Sequence, residues 1–407
     1  MDKKYYGVLS LPVLVAALGY FVDIYDLLLF SIIRIPSLKS LGLNDAQIAS
    51  DGLRILNIQM VGLLIGGIVW GILGDKKGRL KVLYASIILY SLGNIANGFV
   101  QNVSQYAMVR FFSGLGLAGE LGAGITLVSE LLSKEKRGIG TSFVAGIGVT
   151  GAVFAFFLKE QFDWRTCYFI GGGMGFLLLL LRMGVLESAM FKSIENSNIV
   201  KGNFFMLLNN WDRFKKYLLS ILIGLPTWFV MGILITFSKE FAEKMNVQGK
   251  VDPATAIVYA YIAVSLGGII IGFVSQWLKS RKKALYIFFA ITGLGILWFF
   301  NLHGAAVNTF YAAAAVMGFG TGLWSVFVTM AAEQFGTNIR ATVATTVPNM
   351  VRGSLNLITA LFIFLQSKFS YVESGWITGI IVMIIAVVST ILIKETYGKD
   401  LDYLELP

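Results

Sequence analysis

The sequence predicts an all-α membrane protein of twelve spanning helices, arranged as two six-helix, pseudo-symmetric bundles. Three observations predict it. Of 407 residues, 56% are hydrophobic and 14% charged, and the mean hydropathy is +0.75. A soluble domain carries about 25% charged residues. Twelve apolar runs approach the roughly 20 residues a helix needs to cross a bilayer. Two local patterns recur about 200 residues apart, near half the chain length, which points to an internal duplication.

The runs in the first half are 8–33, 53–73, 80–101, 104–131, 138–158 and 165–185. The first follows Lys3 and Lys4 but is too long for a signal-peptide core. It holds Asp23 and Asp26 and has no small-residue cleavage site, so it reads as a membrane helix. A polar stretch, 186–216, with Asn196, Asn198, Lys201 and Arg213, divides six runs from six. The second half contains 217–237, 254–277, 283–301, 305–332, 341–367 and 373–393. The expected organisation is an N-terminal bundle over 1–185, a cytoplasmic linker over 186–216 and a C-terminal bundle over 217–407. The 45 glycines and 6 prolines suit closely packed membrane helices.

The net charge of +10 would suggest a nucleic-acid partner in a soluble protein. Here the basic residues sit in short loops, where they set topology. Most of the 33 Lys and Arg fall on one side if both termini are cytoplasmic, which places the chain in the cell (inner) membrane. Cys167 is the single cysteine and lies in an apolar run, so no intramolecular disulfide forms. His303 is the single histidine and falls in an outer loop, which argues against a His-based metal site. A phosphate loop, zinc-ligand spacing and a nucleophile–histidine pair are all missing, so an enzyme, a resident metal and a cofactor are not expected.

The repeats are specific. Residues 71–81 read GILGDKKGRLK and residues 272–282 read GFVSQWLKSRK. Glu130 precedes Arg137 and Gly138 as Glu333 precedes Arg340 and Ala341. Paired halves place a transporter's site near the midplane between them.

Ionisable residues inside a span cost at least ~2.5–3.5 kcal/mol on insertion scales and are functional candidates by default. Asp23 and Asp26 lie three apart on one helix face and resist ionising together, as a proton carrier requires. A static ion pair is the alternative. Glu120, among glycines in the fourth run, is a candidate for substrate or proton. Arg352 in the eleventh run is suited to clamp a substrate anion or to meet an acid of the other half. Asn57, Gln59, Asn94, Asn97, Trp228, Trp324, Asn349 and Asn356 are candidates to line a cavity, with Pro226 and Pro348 breaking helices near it. Asp75, Arg79, Glu130, Arg137, Glu333 and Arg340 fall at inner helix ends, where they would latch the cytoplasmic side or anchor loops.

The segment Gly71–Lys81 resembles the loop signature of the major facilitator superfamily. The run from Arg110 through Gly114, Gly116 and Gly119 to Glu120 is similar to the fourth helix of its proton-symporter branches. Residues 130–138 and 333–341, and the tail from Lys394, are similar to further signatures of those branches. Asp23-Ile-Tyr25-Asp26 resembles the first helix of the metabolite, aromatic-acid and phosphate symporters. Two departures are Gln276 where the first loop copy has Asp75, and Gly336 where many relatives carry a proline.

The resemblance implies a secondary active transporter that works by alternating access, with a small-molecule substrate, a proton and membrane lipid as partners and a monomeric state. It implies proton-coupled uptake of a small polar metabolite, anionic or zwitterionic. It also implies that Arg110 pairs with an aspartate of the first helix, Asp26 fitting best and Asp23 second. Proton-driven export is the alternative. Exporters of the superfamily often carry a glycine-proline signature in the fifth helix, whereas AGIGVTGAVF here has no proline.

Overall fold

A computed structural model describes residues 7–184, 202–400 and 402–405. Residues 186–201 of the expected linker lie outside the described residues, as does the Arg137 side chain. Among the described residues, eleven helices are long and apolar enough to cross a membrane. Span 1 is Leu11–Ser40, span 2 Ser50–Lys77, span 4 Val103–Leu131, span 5 Gly138–Gln161 and span 6 Trp164–Leu181. Span 7 is Trp211–Ile235, span 8 Pro253–Trp277, span 9 Arg281–Phe300, span 10 Val307–Glu333, span 11 Arg340–Gln366 and span 12 Tyr371–Leu392. The helix Arg79–Asn97 is span 3 and completes the twelve. Its apolarity is diluted by Arg79, Lys81, Asn94 and Asn97.

Local chemistry sets the helix starts. Asn44 with Gln47 and Ser370 with Glu373 form capping boxes, and Asp252 caps a helix that begins with Pro253. Two boundaries differ from the sequence expectation. Span 1 continues through Pro36 to Ser40. Span 7 begins at Trp211, inside the stretch read as linker, because the Asn210 side chain accepts from the backbone N–H of Asp212 and Arg213. That first turn is amphipathic rather than apolar, which hid it from a hydropathy reading.

Lipid-facing positions carry large apolar side chains, among them Leu177, Trp277, Leu294, Leu357 and Ile384. Arginines point inward: Arg79, Arg110, Arg281, Arg340 and Arg352 are each at most 1% exposed. The halves meet where span 11 packs on spans 2 and 4, and where span 8 packs on span 5. Gly122 of span 4 faces Thr345 of span 11 so closely that a Cβ there would collide with it. This is the close approach that glycine permits.

Four spans lose regular helix near mid-depth. Span 5 breaks after Gly148, span 7 at Gly224, span 10 at Gly322 and span 11 at Ser354. Span 7 then passes through a short helix that opens with Leu225 and Pro226 and a wider π-turn over Val230–Ile235. Such backbone is tolerated at membrane depth where it lines a cavity. Pro348 does not break its helix, which runs on from Arg340 to Gly353.

Candidate functional site

The breaks surround a small cavity of about 30 Å³ at the junction of the halves. Tyr20 and Ile24 of span 1 and Val149 of span 5 line one wall; Thr227, Trp228 and Met231 of span 7, Tyr261 and Val264 of span 8, Trp324 of span 10 and Arg352 of span 11 line the other. It is an apolar, aromatic chamber with one cation in its wall. A second cavity shares Trp228, Met231 and Tyr261 with the first and adds Leu27, Leu28, Leu56 and Met60. Through Ser31 it adjoins a wider vestibule of about 430 Å³, lined by Arg34, Lys39, Lys159, Lys239, Lys250, Glu240 and Asp252. The three form a line from the centre to one face of the molecule.

The opposite face is closed by contacts between the halves. Asp75 accepts from the backbone N–H of Ala341 and Thr342. Arg340 lies 3.3 Å from Glu130, and Arg79, 3.0 Å from Glu130, also donates to the Thr337 carbonyl. Higher up, Asn349 donates to the Ala118 carbonyl at 2.9 Å, Thr329 to Thr141 at 2.8 Å and Ser142 to Ser325 at 3.3 Å. Ser265 donates to the Gly146 carbonyl. Among the described residues, the contacts of Glu333 stay within one half. It holds Arg281 at 3.0 Å and accepts from Thr396 within its own half.

Three further ion pairs lie deeper. Arg110 donates to Asp26 Oδ1 at 2.7 Å, to the Asp26 carbonyl at 2.9 Å and to Gln59 Oε1 at 3.3 Å, and its guanidinium stands 5.6 Å from the Tyr168 ring centre. Glu120 pairs with both terminal nitrogens of Arg182. Arg352 reaches across the halves to Asp23 at 3.5 Å, holds Asn349 Oδ1 at 3.3 Å and lies over Trp324. All six charged residues are at most 1% exposed. At this depth, removing one member of a pair strands a charge, at a cost of about 3–5 kcal/mol. The two aspartates of span 1 therefore diverge. Asp26 is fixed within its own bundle, while Asp23 is shared with the other.

The sequence candidates separate accordingly. Trp228, Trp324 and Arg352 line the central cavity. Gln59 and Asn94 do not; Gln59 holds Arg110 and the Leu27 carbonyl, and Asn94 lies beside Asp26. Asn349 spends its amide on Ala118 and Thr345 carbonyls and supports Arg352. Asn57 is displaced furthest, into a shallow cleft with Ser50, Leu53, Arg54 and Val61. Asn97 ties span 3 to Ser113 of span 4, and Asn356 bonds back to the Gly353 carbonyl. Gln59, Asn97 and Asn349 are thus engaged by neighbouring helices rather than by the cavity. Sequence reading passed over Tyr20, Tyr261 and Arg182. The two tyrosines resemble ordinary interfacial aromatics, and Arg182 falls at the very end of the sixth apolar run, where a basic residue reads as a topology signal.

Residues 16–358 match the Major Facilitator Superfamily. The chain belongs to that superfamily. It is 25% identical to a putative niacin/nicotinamide transporter, NiaP, of Bacillus subtilis over 81% of each chain. It is 24% identical to the niacin transporter NiaP of Acinetobacter baylyi, covering 96% of this chain and 95% of that one. A cis,cis-muconate transport protein of the same organism is 25% identical over 94% of each. The fold matches the solved proton:xylose symporter XylE with TM-score 0.75 over 96% of this chain and 97% of that one, at 17% identity. The chain is thus an integral, multi-pass membrane transporter of small molecules and not an enzyme.

Proposed function

We propose that this transporter takes up a small anionic metabolite together with protons, the substrate binding in the central cavity against Arg352. One observation carries the reading: an arginine set in an otherwise apolar, aromatic wall, at the boundary of the halves and opposite an aspartate of the other half. Arginine's planar fork fits a carboxylate, and the rings of Tyr20, Trp228, Tyr261 and Trp324 suit a flat or unsaturated body. The relatives' names, niacin and cis,cis-muconate, agree with such a cargo. Asp23, Asp26, Arg110 and Glu120 are the proposed coupling network. Asp75, Arg79, Glu130, Arg137, Glu333 and Arg340 are the proposed inner gate.

The inner face is closed while the vestibule leads outward, so the conformation is one that loads from outside. In this proposal both termini are cytoplasmic and the protein is a monomer in the cell membrane. The chain divides into an N-terminal and a C-terminal six-helix bundle about a linker that ends before Trp211. The test is uptake into proteoliposomes under an inward proton gradient, with radiolabelled nicotinate, cis,cis-muconate and a panel of small carboxylates. At least one accumulates, and a protonophore collapses the accumulation. Accumulation that persists with no ion gradient overturns the coupling. Proton-driven loss of preloaded label would favour export.

A further inference from the structure

Asp23 and Arg352 meet across the cavity wall in an incomplete way. Arg352 Nη1 donates to Asn349 Oδ1, and Nη2 stands 3.5 Å from Asp23 Oδ2, the outer limit of a hydrogen bond. Arg352 Nε is buried with no partner among the described residues, and so is Asp23 Oδ1. Nε and Nη2 form the side-on edge of the guanidinium, the edge that grips a carboxylate with two parallel bonds. That edge belongs to a cavity-lining residue. Asp26, by contrast, is held by Arg110 at 2.7 Å and again through its own carbonyl.

We infer that the substrate's carboxylate displaces Asp23 from the side-on edge of Arg352, and that Asp23, so released, takes up one proton from the outer side. This deepens the proposed function and rests on its anionic substrate. The step is an exchange of partners with no covalent change. Arg352 trades one carboxylate for another, and the freed Asp23 carboxylate accepts a proton on oxygen. A bare carboxylate in a dry chamber is too costly to leave ionised. The groups facing Asp23 are Arg352 of span 11, Glu120 of span 4, Tyr90 of span 3, and Tyr20 and Asp26 of its own helix. Glu120 and Asp26 are occupied by Arg182 and Arg110, so Arg352 is the cation whose loss Asp23 registers.

Charge balance then explains obligatory coupling. The empty centre is neutral as Asp23 carboxylate with Arg352. The loaded centre is neutral as protonated Asp23, Arg352 and a monoanion. Either half-loaded state carries an unbalanced charge between the halves and resists closure. Transport is therefore electroneutral, one proton to one monoanion.

Two measurements test this in the full-length protein. In the first, nicotinate is the probe. Its binding to the detergent-purified wild type takes up about one proton, read with a pH dye in weak buffer, and its Kd rises with pH by up to about tenfold per unit. Asp23→Asn binds it at least as tightly, with a flat pH profile and no proton uptake. A wild type that binds nicotinate without proton uptake overturns the exchange, as does a pH slope retained in Asp23→Asn. If nicotinate and the carboxylate panel fail to bind, the anionic substrate reading fails, and the exchange with it.

The second measurement needs no ligand. Arg352→Gln removes the cation permanently, so its infrared spectrum gains a protonated-carboxyl band near neutral pH. The wild type and Asp23→Asn/Arg352→Gln lack that band, and Arg352→Lys restores the wild-type spectrum. No such band in folded Arg352→Gln means that Asp23 does not answer to Arg352, which sinks the inference whatever the substrate.

Discussion

The Asp75 carboxylate accepts two hydrogen bonds from Thr342, from its backbone N–H at 2.8 Å and its hydroxyl at 2.7 Å, and so ties the C-terminal end of span 2 to the first turn of span 11. A helix N-terminus offers unpaired N–H groups and a partial positive charge, so a carboxylate there is favoured twice over. The equivalent place in the second half is Gln276. The inner closure is thus asymmetric between two duplicated loops.

Asp75→Asn keeps the shape and removes the charge. Hydrogen bonds to charged groups contribute about 1.5–3 kcal/mol, so closure should weaken by roughly that amount and the inward-open population should rise at least tenfold. Spin labels at Lys76→Cys and Lys283→Cys, both exposed at the inner ends of opposite halves, would report it as a second, longer distance. Cys167 is buried and leaves the labelling clean. An unchanged distance distribution would remove Asp75 from the gate.

Gly122→Leu should act on the same equilibrium by sterics. The new side chain enters the space of Thr345 on the other half, since even a Cβ collides there. The same label pair should separate and uptake should fall, while Gly122→Ala gives a smaller change. Normal uptake by Gly122→Leu would mean that the halves do not approach as described.

Asp26→Asn should cost stability. It leaves Arg110 buried with Gln59 and the Tyr168 ring but no counter-charge. A loss of about 3–5 kcal/mol is expected, and Asp26→Asn/Arg110→Gln should recover much of it. A thermal-shift comparison of the three proteins decides. Equal Tm for Asp26→Asn and wild type would make the pair dispensable to the fold.

Glu395 lies just beyond span 12 and docks on the start of span 9. Burial pushes its carboxyl up, but donation from Ser280 Oγ and from the N–H groups of Tyr397, Arg281 and Lys282 outweighs it and holds the group below its ordinary value. A carboxyl depressed in the folded state stabilises above its unfolded value, and that stabilisation fades as pH falls through the folded one. Limited proteolysis of the tail should therefore stay slow at neutral pH and accelerate only once pH falls below the ordinary glutamate range. Glu395→Gln should be cleaved faster at neutral pH. Equal rates for that variant and wild type would show that Glu395 does not hold the tail.

The sequence by itself determined the class, the count of spans and the duplication, because lipid forces long apolar helices and repeats keep their spacing. It also exposed Asp23, Asp26, Arg110, Glu120 and Arg352, since a charge among apolar neighbours stands out without any structure. Beyond the Arg110–Asp26 pair that the resemblance implied, tertiary packing decided which charge meets which. Arg182 reached Glu120, Asp23 reached Arg352 across the halves, Gln59 and Asn349 went to other partners, and Asn57 and Asn94 sit away from the central cavity. Partner choice depends on how each helix is rotated and how deep it sits. A polar group in a membrane takes the nearest compatible neighbour, and only the assembled bundle sets that distance.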